Sequence, residues 1–227
     1  MGRFIVLAAA SLSALTLAAA AGLAADATVA PVSGYMPYVS IFGGASFLNN
    51  VNTVSSGAAP YSVKTDTGYL IGGAIGLKWN EMLRTEIELS HMSNNANSYN
   101  KNGAPFSPAS GPIRQTYLLG NVWLDIPTGS SFTPYAGGGL GVGFADADVT
   151  FNGGIAGYGS RTSGASFAYQ LGGGIKFSLS EKIDLDLGYR YKGMTNVNFT
   201  DNQSNNYEFN GANLNSHNVQ LGLTFNF

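Results

Sequence analysis

Blocks of about ten residues with period-two alternation, a shortage of charge, and connections that alternate short and long together predict an all-β fold: an eight-stranded antiparallel transmembrane β-barrel. Of 227 residues only 11% are charged, 12% are aromatic, 31 are Gly, and Tyr and Phe (12 and 13) far outnumber Trp (2). A soluble domain carries about 25% charged residues. Much of the folded surface therefore does not face water, yet beyond the N-terminus no apolar run reaches the roughly 18 residues a membrane helix needs. Strands that point alternately to lipid and to a lumen reconcile the two facts. Their hydropathy averages near neutral, as the mean hydropathy of +0.06 does.

The chain opens with Met1-Gly2-Arg3, an Ala-rich apolar stretch from Phe4 to Leu23, and the small residues Ala24 and Ala25 before Asp26. That is the layout of an export signal, so residues 1–25 are expected to be a cleaved signal peptide. A cut after Ala27, through the small-x-small Ala25-Asp26-Ala27, is the alternative. A retained anchor would carry a charged stop-transfer flank, which this stretch lacks. Removing Arg3 leaves ten basic and thirteen acidic residues, a balance that argues against nucleic acid as a partner. Cysteine is absent, which excludes disulfide frameworks and thiol chemistry.

Residues 26–37, with Pro31 and Pro37, read as a lead-in, and residues 38–227 as the barrel. The first two strands are expected at 38–47 and 64–79. The third, 83–92, sets Leu83, Thr85, Ile87 and Leu89 against Arg84, Glu86, Glu88 and Ser90. The fourth, fifth and sixth follow at 113–125, 134–146 and 164–178. The seventh, 183–194, sets Ile183, Leu185, Leu187, Tyr189 and Tyr191 against Asp184, Asp186, Gly188, Arg190 and Lys192. In the eighth, 215–227, Val219, Leu221, Leu223, Phe225 and Phe227 alternate with Gln220, Gly222, Thr224 and Asn226.

An even number of strands closes an antiparallel barrel with both ends on one side. Connections are short at Asn80-Glu81, Pro127 to Ser131 and Leu179 to Lys182, and long near 48–63, 93–112, 147–163 and 195–214, where Asn, Ser and Gly dominate. Short periplasmic turns with long extracellular loops are the asymmetry of outer-membrane barrels, which places the protein in the outer membrane of a Gram-negative bacterium. A soluble sandwich would not turn its apolar face outwards. Trp79, Phe177, Phe225 and Phe227 near the turns, and Tyr69, Tyr169, Tyr189 and Tyr191 further up, fall where interfacial girdles belong.

The glycine runs Gly137-Gly138-Gly139-Leu140-Gly141-Val142-Gly143 and Gly172-Gly173-Gly174 precede no helix, and Gly-Lys-Ser/Thr is missing, so they do not form a phosphate loop. On strands they permit coiling and make room for bulky neighbours across the lumen.

Pro134 to Gly141 (PYAGGGLG), Ala168 to Gly174 (AYQLGGG), Asp184 to Tyr191 (DLDLGYRY), Tyr117 to Asp125 (YLLGNVWLD) and the terminal Phe227 resemble the opacity-type surface-antigen family of outer-membrane proteins, with an OmpA-like transmembrane barrel. The resemblance covers nearly the whole mature chain, in order, and implies this fold and location. Its members are described as surface antigens, adhesins, small porins or envelope-stabilising proteins, and fold does not choose among them. It also implies that Val219, Leu221, Leu223, Phe225 and Phe227 form the insertion signal read by the barrel-assembly machinery.

His91-Met92-Ser93-Asn94 is similar to the His-x-Ser-Asn of lipid A deacylase barrels. A Ser nucleophile needs a His oriented by a carboxylate, but the following loop holds no Asp or Glu, and Glu86 and Glu88 alternate to the other face. His91 and His217 therefore read as rim residues. Lys78, Arg84, Glu86, Glu88, Lys176, Asp184, Asp186, Arg190 and Lys192 fall on the lumen face with both signs. Since eight strands leave an interior just wide enough for side chains, Glu86 and Glu88 are expected to meet Arg190 or Lys192 and plug the barrel.

No catalytic, cofactor-binding or metal-binding residue is assigned. The expected role is a non-catalytic surface protein, a barrel scaffold displaying loops for antigenic, adhesive or envelope-structural contacts. A narrow passive porin-like channel and a lipid A-modifying enzyme are the alternatives. Expected partners are outer-membrane lipid and lipopolysaccharide, the barrel-assembly machinery, and a host or environmental ligand at the loops.

Overall fold

A computed structural model describes residues 34–53, 61–101, 104–151, 158–162, 165–201 and 209–227. The export signal and the lead-in up to residue 33 lie outside the described residues. Among the described residues the strands in chain order are β1 (Met36–Leu48), β2 (Val51–Thr53), β3 (Tyr61–Thr65), β4 (Gly68–Lys78), β5 (Leu83–Lys101), β6 (Ala104–Ser110), β7 (Pro112–Asp125), β8 (Phe132–Phe151), β9 (Tyr158–Thr162), β10 (Ser166–Ser178), β11 (Ile183–Asp201) and β12 (Phe209–Asn226).

Eight of these close a ring of antiparallel neighbours: β1, β4, β5, β7, β8, β10, β11, β12 and back to β1. Lipid cannot satisfy a backbone N–H or C=O, so a sheet crosses it only when closed. Alternation fixes which face looks where. On β5, Ile87 is 57% exposed while Glu88 is 2% exposed, and a one-residue slip would turn every charge into lipid. The outside is a continuous apolar surface carrying Ile75, Val122, Leu140, Leu171 and Leu221, all at least half exposed, an area only hydrocarbon covers comfortably. Trp79, Phe177, Phe225 and Phe227 stand exposed near the turns, Tyr69 and Tyr189 nearer the loops, with Tyr169 and Tyr191 half-buried beside them.

The short connections are tight. The Asn80 side-chain oxygen accepts from the Met82 and Leu83 amides at 2.8 Å, and the Leu179 amide donates to the Ile183 carbonyl at 2.9 Å.

The long connections differ from the sequence expectation, because much of each is strand. β5 runs on to Lys101, β8 to Phe151 and β11 to Asp201, and β12 begins at Phe209. β3 and β6 pair with β5, β6 reaches β8, and β9 bridges β8 and β11, so the wall continues above the membrane as a collar. Sequence alternation fades there for a physical reason: outside lipid the outward face is polar too, while the backbone ladder persists. The stretch expected as one strand over 64–79 is divided at Asp66-Thr67. The buried Asn94 side chain donates there to the Ser46 carbonyl at 2.9 Å and the Asp66 carbonyl at 3.1 Å, standing in for ladder bonds. Between β6 and β7 the chain turns through Gly111 at φ 119°, where a Cβ would strike the Asp148 carbonyl.

The inward glycines make room for bulky groups, both from the adjacent strand and from further round the lumen: a Cβ on Gly143 of β8 would lie 2.6 Å from the Met194 sulfur of β11, two strands away. A Cβ on Gly139 would overlap the Asn121 side chain of β7, and one on Gly174 would lie 2.6 Å from the Tyr135 hydroxyl of β8. Neighbouring strands are only about 4.8 Å apart, so a long inward side chain covers the next strand and reaches the one beyond it, as Tyr135 does at Gly188.

Candidate functional site

The interior is built in levels, because each inward position on a tilted strand meets its counterparts at one height. At the turn end, Asp184 accepts from Ser178 Oγ at 2.9 Å and Asn226 Nδ2 at 3.0 Å and faces Lys78 Nζ at 3.4 Å. One level up, Asp125 lies between Arg84 Nε at 2.8 Å and Lys176 Nζ at 2.6 Å, all three buried. Next, Glu86 accepts from Tyr38 Oη and Trp123 Nε1, each at 2.7 Å, and from Asn121 Nδ2 at 3.0 Å. Beside it, Tyr135 donates to Asp186 at 2.9 Å and accepts from Arg190 Nη2 at 2.8 Å. The Arg190 guanidinium lies 4.2 Å from the centre of the Trp123 ring and donates to the Gly173 and Tyr189 carbonyls. Uppermost, Glu88 pairs with Lys192 and accepts from Gln170 Nε2 at 2.7 Å, while Lys192 also donates to Ser90 at 2.8 Å.

All nine charges singled out in the sequence thus turn inwards. Of the cross-lumen contacts expected, the structure forms Glu88 with Lys192. Glu86 does not meet Arg190: it is taken by Tyr38, Asn121 and Trp123, and Arg190 by the Tyr135 hydroxyl, the Trp123 face and two carbonyls. Aromatic groups that fill the core level at this height separate the two. The tenth charge, Asp125, escaped the sequence reading. It makes the balance even among the described lumen residues, with Lys78, Arg84, Lys176, Arg190 and Lys192 against Glu86, Glu88, Asp125, Asp184 and Asp186. Its signal was available, since Asp125 shares the alternate face of β7 with Asn121 and Trp123. Buried ions cost several kcal/mol each unless partnered, and this neutrality is what lets ten of them sit inside a barrel.

Above Lys192 the interior changes character. Leu70, Met92, Tyr117, Leu119, Met194 and Leu214, each at most 1% exposed, pack with Ile113 and Val197 into an apolar layer that continues into the collar through Leu48, Val51 and Val63. Sequence reasoning missed this layer because its members sit singly on different strands, Leu70 and Tyr117 beside outward apolar residues and Val197 and Leu214 within Asn-rich stretches. Within the charged zone lies a cavity of about 30 Å³ reached by Arg84, Glu86, Arg190 and Gln220, room for one or two water molecules.

The rim histidines face outwards. His91 Nδ1 is 3.0 Å from Thr116 Oγ1, and Ser93 sits on the same face. His217 Nδ1 is 2.6 Å from the Tyr189 hydroxyl, with its ring 5.1 Å from that of Tyr191. Those contacts place both at the aromatic girdle.

A closed ring of eight strands, apolar outside, with short turns at one end, long hairpins at the other and side chains filling its interior, defines an outer-membrane protein of the small-barrel class. The chain belongs to the outer membrane protein β-barrel domain family, whose model matches residues 5–227. It is 27% identical over 201 residues to a Rickettsia conorii protein named as a candidate adhesin, covering 80% of this chain and 74% of that one. It is 26% identical over 151 residues to an uncharacterised protein of Brucella abortus, covering 58% of this chain and 52% of the relative, so it spans about half the length of that protein. Among solved structures, OprG of Pseudomonas aeruginosa superposes with a TM-score of 0.51 at 13% identity, covering 86% of this chain and 96% of that one. Neisserial surface protein A does so with 0.48 at 20% identity, covering 86% and 98%. The OprG likeness speaks for the fold alone.

Proposed function

We propose that this chain is a non-catalytic, non-conducting surface protein, a closed barrel whose collar and hairpins make adhesive or antigenic contacts. The observation that carries the reading is the filling of the lumen by two successive layers. An ion entering from the periplasm meets charges fixed by ion pairs or hydrogen bonds and a cavity of about 30 Å³. Beyond them it would cross a packed layer in which Leu70, Met92, Tyr117, Leu119 and Met194 outnumber the neutral polar groups of Ser46, Gln115 and Ser216, too few to replace its hydration, and stripping an ion of water costs far more than thermal energy. The collar supports a binding role, because its strands carry the wall beyond the membrane around a packed apolar interior of Leu48, Val51 and Val63. The adhesin name of the Rickettsia conorii relative points the same way.

Planar-bilayer recording on the refolded protein is expected to give no unitary steps. Exchanging the hairpin tips between residues 102–103 and 202–208 for those of an unrelated barrel is expected to abolish attachment of producing cells to host surfaces while the folded barrel persists. Steady unitary conductance would install the narrow-channel reading in its place, and altered lipid A in a producing strain the enzymatic one.

A further inference from the structure

Part of this chain occurs twice. Gly68 to Lys78 reads GYLIGGAIGLK and Ala168 to Ser178 reads AYQLGGGIKFS, so Tyr69, Gly72, Gly73 and Ile75 return as Tyr169, Gly172, Gly173 and Ile175. The match continues without a gap through the next turn and strand, where Glu81, Leu83, Glu86 and Ile87 are answered by Glu181, Ile183, Asp186 and Leu187. Ahead of it, Pro37, Tyr38, Gly44 and Phe47 of β1 correspond in spacing to Pro134, Tyr135, Gly141 and Phe144 of β8. Self-similarity at a fixed offset marks a repeated structural unit. In the ring, β1, β4, β5 and β7 are followed by β8, β10, β11 and β12. Every strand of one set therefore faces its counterpart across the lumen, and a half-turn about the barrel axis exchanges the sets.

Alternation makes any two strands alike in burial, but it does not choose contacts, and the contacts recur too. Tyr38 donates to Glu86 at 2.7 Å, and Tyr135 to Asp186 at 2.9 Å. The rings of Tyr69 and His91 lie 6.3 Å apart at 48°, those of Tyr169 and Tyr191 6.3 Å apart at 49°. The Trp79 amide donates to the Leu83 carbonyl and the Asp125 amide to that of Met82, just as the Leu179 and Asn226 amides donate to those of Ile183 and Lys182. Where the sets join, the Ile126 amide donates to the Pro134 carbonyl at 2.8 Å and the Phe227 amide to the Pro37 carbonyl at 3.1 Å. A two-fold relation demands that reciprocity: whatever the first unit does to the second, the second does to the first.

The two units differ in charge. Glu88, Met92 and Asp125 of the first stand where the second has Gly188, Lys192 and Asn226, and Lys176 of the second stands where the first has Gly76. The ion pairs of Lys78 with Asp184, Lys176 with Asp125 and Lys192 with Glu88 therefore run from one unit to the other. A first unit closed on its own copy would set Glu88 against Met92, a buried charge without a partner. The partner that its edges and lumen face fit is the second unit.

We infer that the barrel is two copies of one four-stranded unit, residues 36–126 and 132–227, each closing the wall by pairing its two open edges and its lumen face with the other. Residues 127–131 are the joint between them. This construction is independent of what the hairpins bind.

The test is made on the whole barrel, circularly permuted behind residues 1–35, with Phe227 joined to Met36 by one glycine-serine linker. The chain is opened after Trp79, Ile126 or Leu179, with Trp79→Phe, Ile126→Phe or Leu179→Phe so that every new last strand ends as the native one does. All three cuts fall in a short turn between antiparallel neighbours, and only the cut after Ile126 leaves both units whole. That chain should give heat-modifiable protein on unboiled gels close to the wild-type amount, and the other two severalfold less. Should none insert in cells, refolding from urea into lipid vesicles, which needs no insertion machinery, ranks them instead. Equal yields from the three cuts, or a poorer yield from the cut after Ile126, would overturn the inference.

Discussion

Lys192 is fully buried and Glu88 nearly so, and neither has water to fall back on if its partner goes. Removing one member of a buried pair leaves an uncompensated charge and costs about 3–5 kcal/mol, whereas removing both costs much less. Lys192→Met is therefore expected to lower the urea midpoint of the refolded barrel strongly, and adding Glu88→Gln to recover part of the loss. Non-additivity in that cycle is the signature of the pair. Lys78 and Asp184 sit nearer the turn end, 3.4 Å apart with side chains 20% and 7% exposed, and Asp184 keeps hydrogen bonds from Ser178 and Asn226 when the lysine goes, so less charge is left uncompensated than at Glu88. Lys78→Met should cost correspondingly less and add to Glu88→Gln within about 0.5 kcal/mol, because the two sites share no partner.

At the scale of the strand, the decisive seam is the one joining the two ends of the barrel. β1 and β12 pair from Tyr38 with Asn226 to Leu48 with Ser216, and the Phe227 amide donates to the Pro37 carbonyl at 3.1 Å. Contacts this distant in sequence form late and at high entropic cost, so small losses at the seam act on assembly more than on the finished barrel. Deleting Phe227 is expected to reduce folded, heat-modifiable protein in the outer membrane, read on unboiled gels, and unchanged levels would refute a role for it. A second strand-level feature marks where β11 leaves the membrane. Its register with β12 shifts between Met194 and Val197, beside Asn196 at φ 56°, and such bulges sharpen twist at a barrel rim.

The whole molecule is a stack of a charged plug, an apolar layer and a collar, and the layers back each other up. The combined variant Glu86→Ala, Glu88→Ala and Arg190→Ala widens only the lower zone. It is expected to stay electrically silent in planar bilayers, because Leu70, Met92, Tyr117 and Met194 still close the upper one. Adding Met92→Gly and Met194→Gly should produce leak. Leak from the lower variant alone would show that the apolar layer does not seal.

Alternation along Val219 to Phe227 and Leu83 to Ser90 was enough, without coordinates, to determine that the chain is a barrel, which face meets lipid, and that nine charges point inwards, because in a strand the side of a residue depends only on its parity. Short turns and long connections likewise fixed the orientation in the outer membrane. Partners were another matter. That Glu88 takes Lys192 while Glu86 takes Tyr38 and Trp123, that Asp125 unites Arg84 and Lys176, and that Leu70, Met92, Tyr117 and Met194 gather in the outer half of the lumen all depend on barrel stagger. Stagger sets which inward residues share a level, and it arises from hydrogen bonds between strands far apart in sequence, a quantity that the parity of any one strand does not contain.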